Sequence, residues 1–117
     1  MRRVLSLALL VAGLPAAAFA HAFLDHAVPA VGATVSAPRE VRMFFTEPLE
    51  PAFSGATIAD TGGKAIATSA ATVDPQNPMA MVLSLPSLAP GRYTVRWHVV
   101  SVDTHRTEGT FTFDIGP

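Results

Sequence analysis

Apolar and polar residues alternate with a period of two through most of the chain, in short runs separated by proline and glycine. In an extended backbone that period places the apolar side chains on one face, the signature of a half-buried β-strand. The first run covers about residues 22–28 and ends at Pro29-Ala30-Val31-Gly32. The second covers 40–46, with Val41, Met43 and Phe45 on one face, Arg42 and Phe44 on the other, and Glu47-Pro48 as its end. A third spans 55–59, where Ala56 and Ile58 alternate with Thr57 and Ala59, and Asp60-Thr61-Gly62-Gly63 reads as the turn after it. Residues 64–73, rich in Ala and Thr, hold at least one weak strand, and residues 74–78 read as a loop. A strand over 79–85 would point Met79, Met81, Leu83 and Leu85 inward. Beyond the Ala89-Pro90-Gly91 turn lies the most strand-like run, 92–100, with Tyr93, Val95, Trp97 and Val99 inward. The last run sets Phe111, Phe113 and Ile115 against Thr110, Thr112 and Asp114. After residue 20 no 3.6-residue periodicity is long enough for a helix. The pattern predicts one all-β domain, a sandwich or a barrel, with no linker or repeat to divide it.

The first twenty residues follow another rule. Met1-Arg2-Arg3 is a short basic start, residues 4–14 are apolar apart from Ser6 and Gly13, and Ala18-Phe19-Ala20 offers an A-x-A cleavage site. This predicts a secretory signal peptide over 1–20, with the apolar run too short to span a membrane comfortably. Arg2-Arg3 lacks the rest of a twin-arginine signal. The expected mature domain is 21–117, exported to the periplasm. Loss of Arg2 and Arg3 leaves six of the eight basic residues against nine acidic ones, a net charge of −3 with histidines neutral. No basic patch points to nucleic acid or an anionic membrane surface. The chain has no cysteine, so disulfides and thiolate ligands are excluded and stability must come from packing.

Candidate chemistry sits in Ser101-Val102-Asp103-Thr104-His105-Arg106-Thr107-Glu108-Gly109, between the two best strands. Asp103 and His105 are two apart, a spacing at which extended backbone points both side chains the same way. Cleavage before His21 would give one residue two nitrogen donors, its α-amine and its imidazole, able to close a chelate ring. Both kinds of nitrogen are cheaply deprotonated at neutral pH. Nitrogen donors in a tetragonal plane suit Cu(II). With a nitrogen from His105 and an oxygen from Asp103, the set would be complete. A frayed terminal histidine and a solvated turn are the alternative.

The motifs resemble those of the CopC family of periplasmic copper-binding proteins over essentially all of 21–117. They are His21-Ala22-Phe23-Leu24, Pro29-Ala30-Val31-Gly32-Ala33, Phe45-Thr46-Glu47-Pro48, the run from Ala89 to Trp97, Val100-Ser101-Val102-Asp103-Thr104-His105 and Gly109-Thr110-Phe111-Thr112-Phe113. The resemblance implies a seven-stranded Greek-key β-sandwich or barrel, cupredoxin- or Ig-like. It implies a Cu(II) site of one ion at His21, Asp103 and His105, with Glu47 as a possible additional ligand or neighbour. It also implies handover of copper to an inner-membrane or periplasmic transport partner, in copper homeostasis or resistance. Some family members carry a methionine-rich loop for Cu(I). Here Met43, Met79 and Met81 are the methionines after residue 20, and residues 61–78 have none, so no dedicated Cu(I) site is expected. His26 is expected on the face away from His21, His98 on the outward face, Trp97 in the core, and Asp25 and Glu108 have only proximity in their favour. The expectation is a monomeric carrier, not an enzyme. Two alternatives remain open: a copper-dependent oxidative enzyme built on a histidine brace, and a β-sandwich interaction domain without metal.

Overall fold

The computed structural model describes residues 21–117; the signal peptide expected over 1–20 lies outside them. Nine strand segments are present among the described residues: β1 (Leu24–Val28), β2 (Thr34–Val35), β3 (Glu40–Phe45), β4 (Gly55–Ala59), β5 (Ala65–Ile66), β6 (Thr72–Asp74), β7 (Asn77–Ser84), β8 (Gly91–Val100) and β9 (Arg106–Ile115). They form two sheets, one of order β1-β3-β7-β6 and one of order β2-β9-β8-β4-β5. The β2–β9 pairing is parallel and the other pairings are antiparallel. One short 3-10 turn, Pro51–Phe53, precedes β4. Among the described residues no helix is long and apolar enough to cross a membrane.

The inner faces are those that the alternation predicts. Val41, Met43 and Phe45 face Met81 and Leu83 from the neighbouring strand, all buried. Across the sandwich lie Ile58, Tyr93, Val95, Trp97, Val99, Phe111, Phe113 and Ile115. A fully buried side chain of this size contributes about 1.5–3 kcal/mol, and this layer holds the sheets together without a covalent tie. The ring of Trp97 meets Phe45 edge-on at 5.1 Å between centroids. Its other flank lies against Gly109, where a Cβ would come within 2.6 Å of Cζ2. His98 faces outward as expected, yet is half-buried, because its ring covers Gly55 at a place where a Cβ would be 2.9 Å from Cε1.

The structure departs from the alternation in three places. Met79 was expected inward and is 40% exposed, while Ala80 and Met81 are both buried. The cause is an irregularity in the β6–β7 pairing: Val73 faces Met81 but Asp74 faces Asn77, so three residues of β7 bulge where none is matched. Residues 77 and 78, read as loop, are thus the first of β7. The weak region 64–73 resolves into two short edge strands, and the two-residue β2 gave no detectable pattern. The connection after β8 is also shorter than the polar residues suggested, since β9 begins at Arg106.

Candidate metal centre

β8 and β9 form a ten-pair hairpin, from Gly91 opposite Ile115 to Val100 opposite Arg106. The turn is therefore only residues 101–105. Ser101 N donates to His105 O at 2.9 Å and Thr104 N to Ser101 O at 2.8 Å. Thr104 sits at φ 74°, an uncommon conformation for a β-branched residue. Asp103 and His105 do face the same way, but not because the backbone is extended. The turn folds their side chains together, with His105 Nδ1 3.2 Å from Asp103 Oδ2.

Ser101 anchors the turn from within. It is 1% exposed, and its hydroxyl donates to the Asp103 carboxylate. That bond, with a smaller contribution from His105, holds the Asp103 carboxyl below the usual carboxylate range, against the opposing effect of partial desolvation. The carboxylate thus stays ionised to lower pH than an isolated Asp. Ser101 also pairs with Leu49 in an isolated bridge, which ties the turn to the segment after β3.

The same segment holds the start of the described chain. Thr46 N donates to Phe23 O at 2.9 Å, Phe23 N donates to the Thr46 hydroxyl at 3.0 Å, and that hydroxyl lies 3.3 Å from His21 O. On the opposite flank the Thr107 hydroxyl, on β9, donates to Ala22 O. Ala22 itself is fully buried. Residue 21 is thereby fixed against the hairpin from both sheets. Its ring centroid lies 4.7 Å from that of His105, the rings tilted by 54°, and 6.0 Å from that of Phe23.

His21, Asp103 and His105 are therefore brought to one end of the sandwich. Glu47 is half-buried, and its neighbours touch both halves of the site: Thr46 through His21, and Pro48 through its carbonyl, which accepts from Val102 N at 3.2 Å. His26 is elsewhere: it stacks on Phe44 at 4.3 Å and pairs with Asp25 at 2.7 Å, with both side chains more than half exposed. Glu108 faces His98 in the hairpin register, on the outer surface. Among the described residues no three His, Cys, Asp or Glu side chains stand in a ready-made metal cage. The donor chemistry nonetheless fits a divalent transition metal: two imidazoles and an ionised carboxylate, partly exposed, on a rigid turn. Ser101, Thr46 and Thr107, which position the three, were not singled out in the sequence, since nothing marks a hydroxyl as an anchor until its distant partner is known.

A family model described as the CopC domain matches residues 24–116. Protein YobA of Escherichia coli (strain K12) is 43% identical over 99 residues, covering 83% of this chain and 80% of that one. Copper resistance protein C of Escherichia coli is 38% identical over 114 residues, covering 91% and 90%. Copper transport protein CutJ of Bacillus subtilis is 30% identical over 105 residues, covering 88% of this chain but only 19% of that protein. Among solved structures, that of CopC from Methylosinus trichosporium OB3b superposes with a TM-score of 0.78 at 36% identity, covering 83% of this chain and 95% of that one.

Proposed function

The chain belongs to the CopC family, and from that premise we propose that it is an exported copper carrier that binds one Cu(II) ion. Copper is its cargo, buffered or delivered in copper homeostasis or resistance, and the protein is not an enzyme. The ligands would be the imidazole and α-amine of His21, the imidazole of His105 and the carboxylate of Asp103, with Glu47 as a neighbour or additional ligand. The amine exists only once the chain is cut after residue 20. In this reading residues 1–20 direct export to the periplasm, 21–117 is the working domain, and a copper-transport protein receives the ion.

The observation that carries the proposal is the meeting of His21 with the Asp103–His105 turn across more than eighty residues of sequence. The fold holds each with buried or paired backbone, so little ordering is left for the metal to impose. The names of relatives, copper resistance protein C and copper transport protein CutJ, support the choice of metal. Among the described residues Met43 and Met81 are in the core, and Met79 stands apart in the β7 bulge.

Metal titration of the protein beginning at His21 tests the reading. One equivalent of Cu(II) with a type-2 spectrum is expected, and it should disappear in the Asp103→Ala/His105→Ala double variant. Stoichiometric binding that survives this double substitution would place the copper elsewhere.

A further inference from the structure

Among the described residues six large hydrophobic ones are exposed: Phe23, Val28, Val31, Phe53, Met79 and Val102. Isolated exposed hydrophobes are ordinary, but contiguous ones mark contact surfaces. Four of the six lie at one end of the sandwich, and the register of the strands shows which. Phe23 precedes β1, whose Leu24 faces Phe45 at the finish of β3. Met79 is near the start of β7, whose Ala80 faces Phe44. Pro78 O accepts from Leu49 N at 2.9 Å, and Leu49 bridges to Ser101, next to Val102. Phe53 ends the 3-10 turn that leads into β4, whose Gly55 faces His98 near the finish of β8; Ser54 Oγ accepts from Val100 N at 3.2 Å. This is the end that carries His21, Asp103 and His105. Val28 and Val31 lie at the other end, where Val28 faces Arg42 and Gly32 N donates to Thr112 O.

We propose that Phe23, Phe53, Met79 and Val102 form an apolar collar around the metal centre, and that it docks the copper-transport protein that receives the ion. The inference rests on the carrier reading above and adds the surface and its occupant. Two arguments favour a protein of this kind. Apolar side chains around the ligands are covered by a complementary surface on a partner protein, which excludes water from the contacts it makes. And in copper transport protein CutJ the matching segment is only 19% of a longer chain, so there the domain is already joined to further protein of copper transport. The ligands themselves stay polar and partly exposed, with Asp103 and His105 side chains 36% and 43% accessible, as a centre reached from outside must be.

The test places a photo-crosslinking amino acid at Phe23, Phe53 or Val102, and in parallel at Val28 or Val31, in the full chain expressed in copper-supplemented cells. Crosslinks from the collar positions to a copper-transport protein, identified by mass spectrometry and absent from Val28 and Val31, are expected. In a Phe53→Ser/Met79→Ser background the yield from Val102 should fall about tenfold or more, the loss typical of removing a contact anchor. Equal crosslinking from both ends, or crosslinks only to lipid, to a second copy of the chain or to nothing, would overturn the proposal. Cu(II) titration of the same purified proteins separates the two readings. Phe53→Ser/Met79→Ser should still bind one equivalent; an unsubstituted protein that takes up no copper ends both readings, and one that takes it up without collar crosslinks ends this one alone.

Discussion

Replacing Gly109 by alanine tests the packing that keeps the hairpin carrying Asp103 and His105 in register. Gly109 faces Trp97 across β8 and β9, three pairs before the turn at Val100 and Arg106. An added Cβ would stand 2.6 Å from Trp97 Cζ2, 2.9 Å from Cε2 and 3.2 Å from Nε1. Ordinary carbon contacts begin near about 3.5 Å, so the ring or the strand must give by about 1 Å. The indole cannot swing freely, because Trp97 is 6% exposed and its ring abuts Phe45. Overpacking a filled core costs about 1–3 kcal/mol. For a domain of this size each kcal/mol lowers Tm by about 4–8 °C, so a fall of about 4–24 °C is expected. Thermal unfolding followed by far-UV circular dichroism measures it. The decisive comparison repeats Gly109→Ala in a Trp97→Leu background. There the clash is gone, and the alanine should cost less than about 0.5 kcal/mol relative to Trp97→Leu alone. If Gly109→Ala costs the same in both backgrounds, the indole is not what requires a glycine here, and the reasoning fails.

Other outcomes follow from the site. Retaining Ala20 before His21 converts the α-amine to an amide, and Cu(II) affinity measured by competition with a chelator should fall about a hundredfold or more; unchanged affinity would remove the amine from the ligand set. With the proposed nitrogen ligands protons compete with copper, so affinity should fall as the pH is lowered from neutral, whereas a flat profile down to about pH 5 would argue against nitrogen donors. Ser101→Ala removes the main cause of the lowered Asp103 pKa, so NMR titration of that carboxyl should show its pKa moving up toward 3.8. The Asp74 pKa is depressed, first by its bond from the Gln76 backbone and then by Arg42. A depressed folded-state value means that its stabilisation is present above the unfolded value of 3.8 and is lost as pH falls through the folded one. Urea unfolding between pH 5 and 2 should therefore show a decline that Asp74→Asn makes shallower.

Much of this protein could be read from residue order alone, because strand faces follow a local period. Val41, Met43 and Phe45, or Tyr93, Val95, Trp97 and Val99, declare an inward face without reference to anything distant. The all-β class and the principal strands came from such signals; the candidate ligands came from the expected cleavage before His21, the spacing of Asp103 and His105, and motifs whose order matches a known family. What residue order could not settle were the matters that depend on a partner strand. Met79 keeps perfect alternation with Met81 and Leu83, yet the unmatched residues of β7 opposite β6 turn it out of the core. Asp103 and His105 converge through a five-residue turn rather than through extended backbone, and Ser101 reveals its role only once buried beside them. Above all, the approach of His21 to His105 is set by hydrogen bonds from Thr46 to His21 O and from Thr107 to Ala22 O, contacts that span 25 and 85 residues of sequence. Local periodicity specifies which side of a strand is apolar; only the pairing of sheets decides which strand ends meet, and the candidate metal centre is such a meeting.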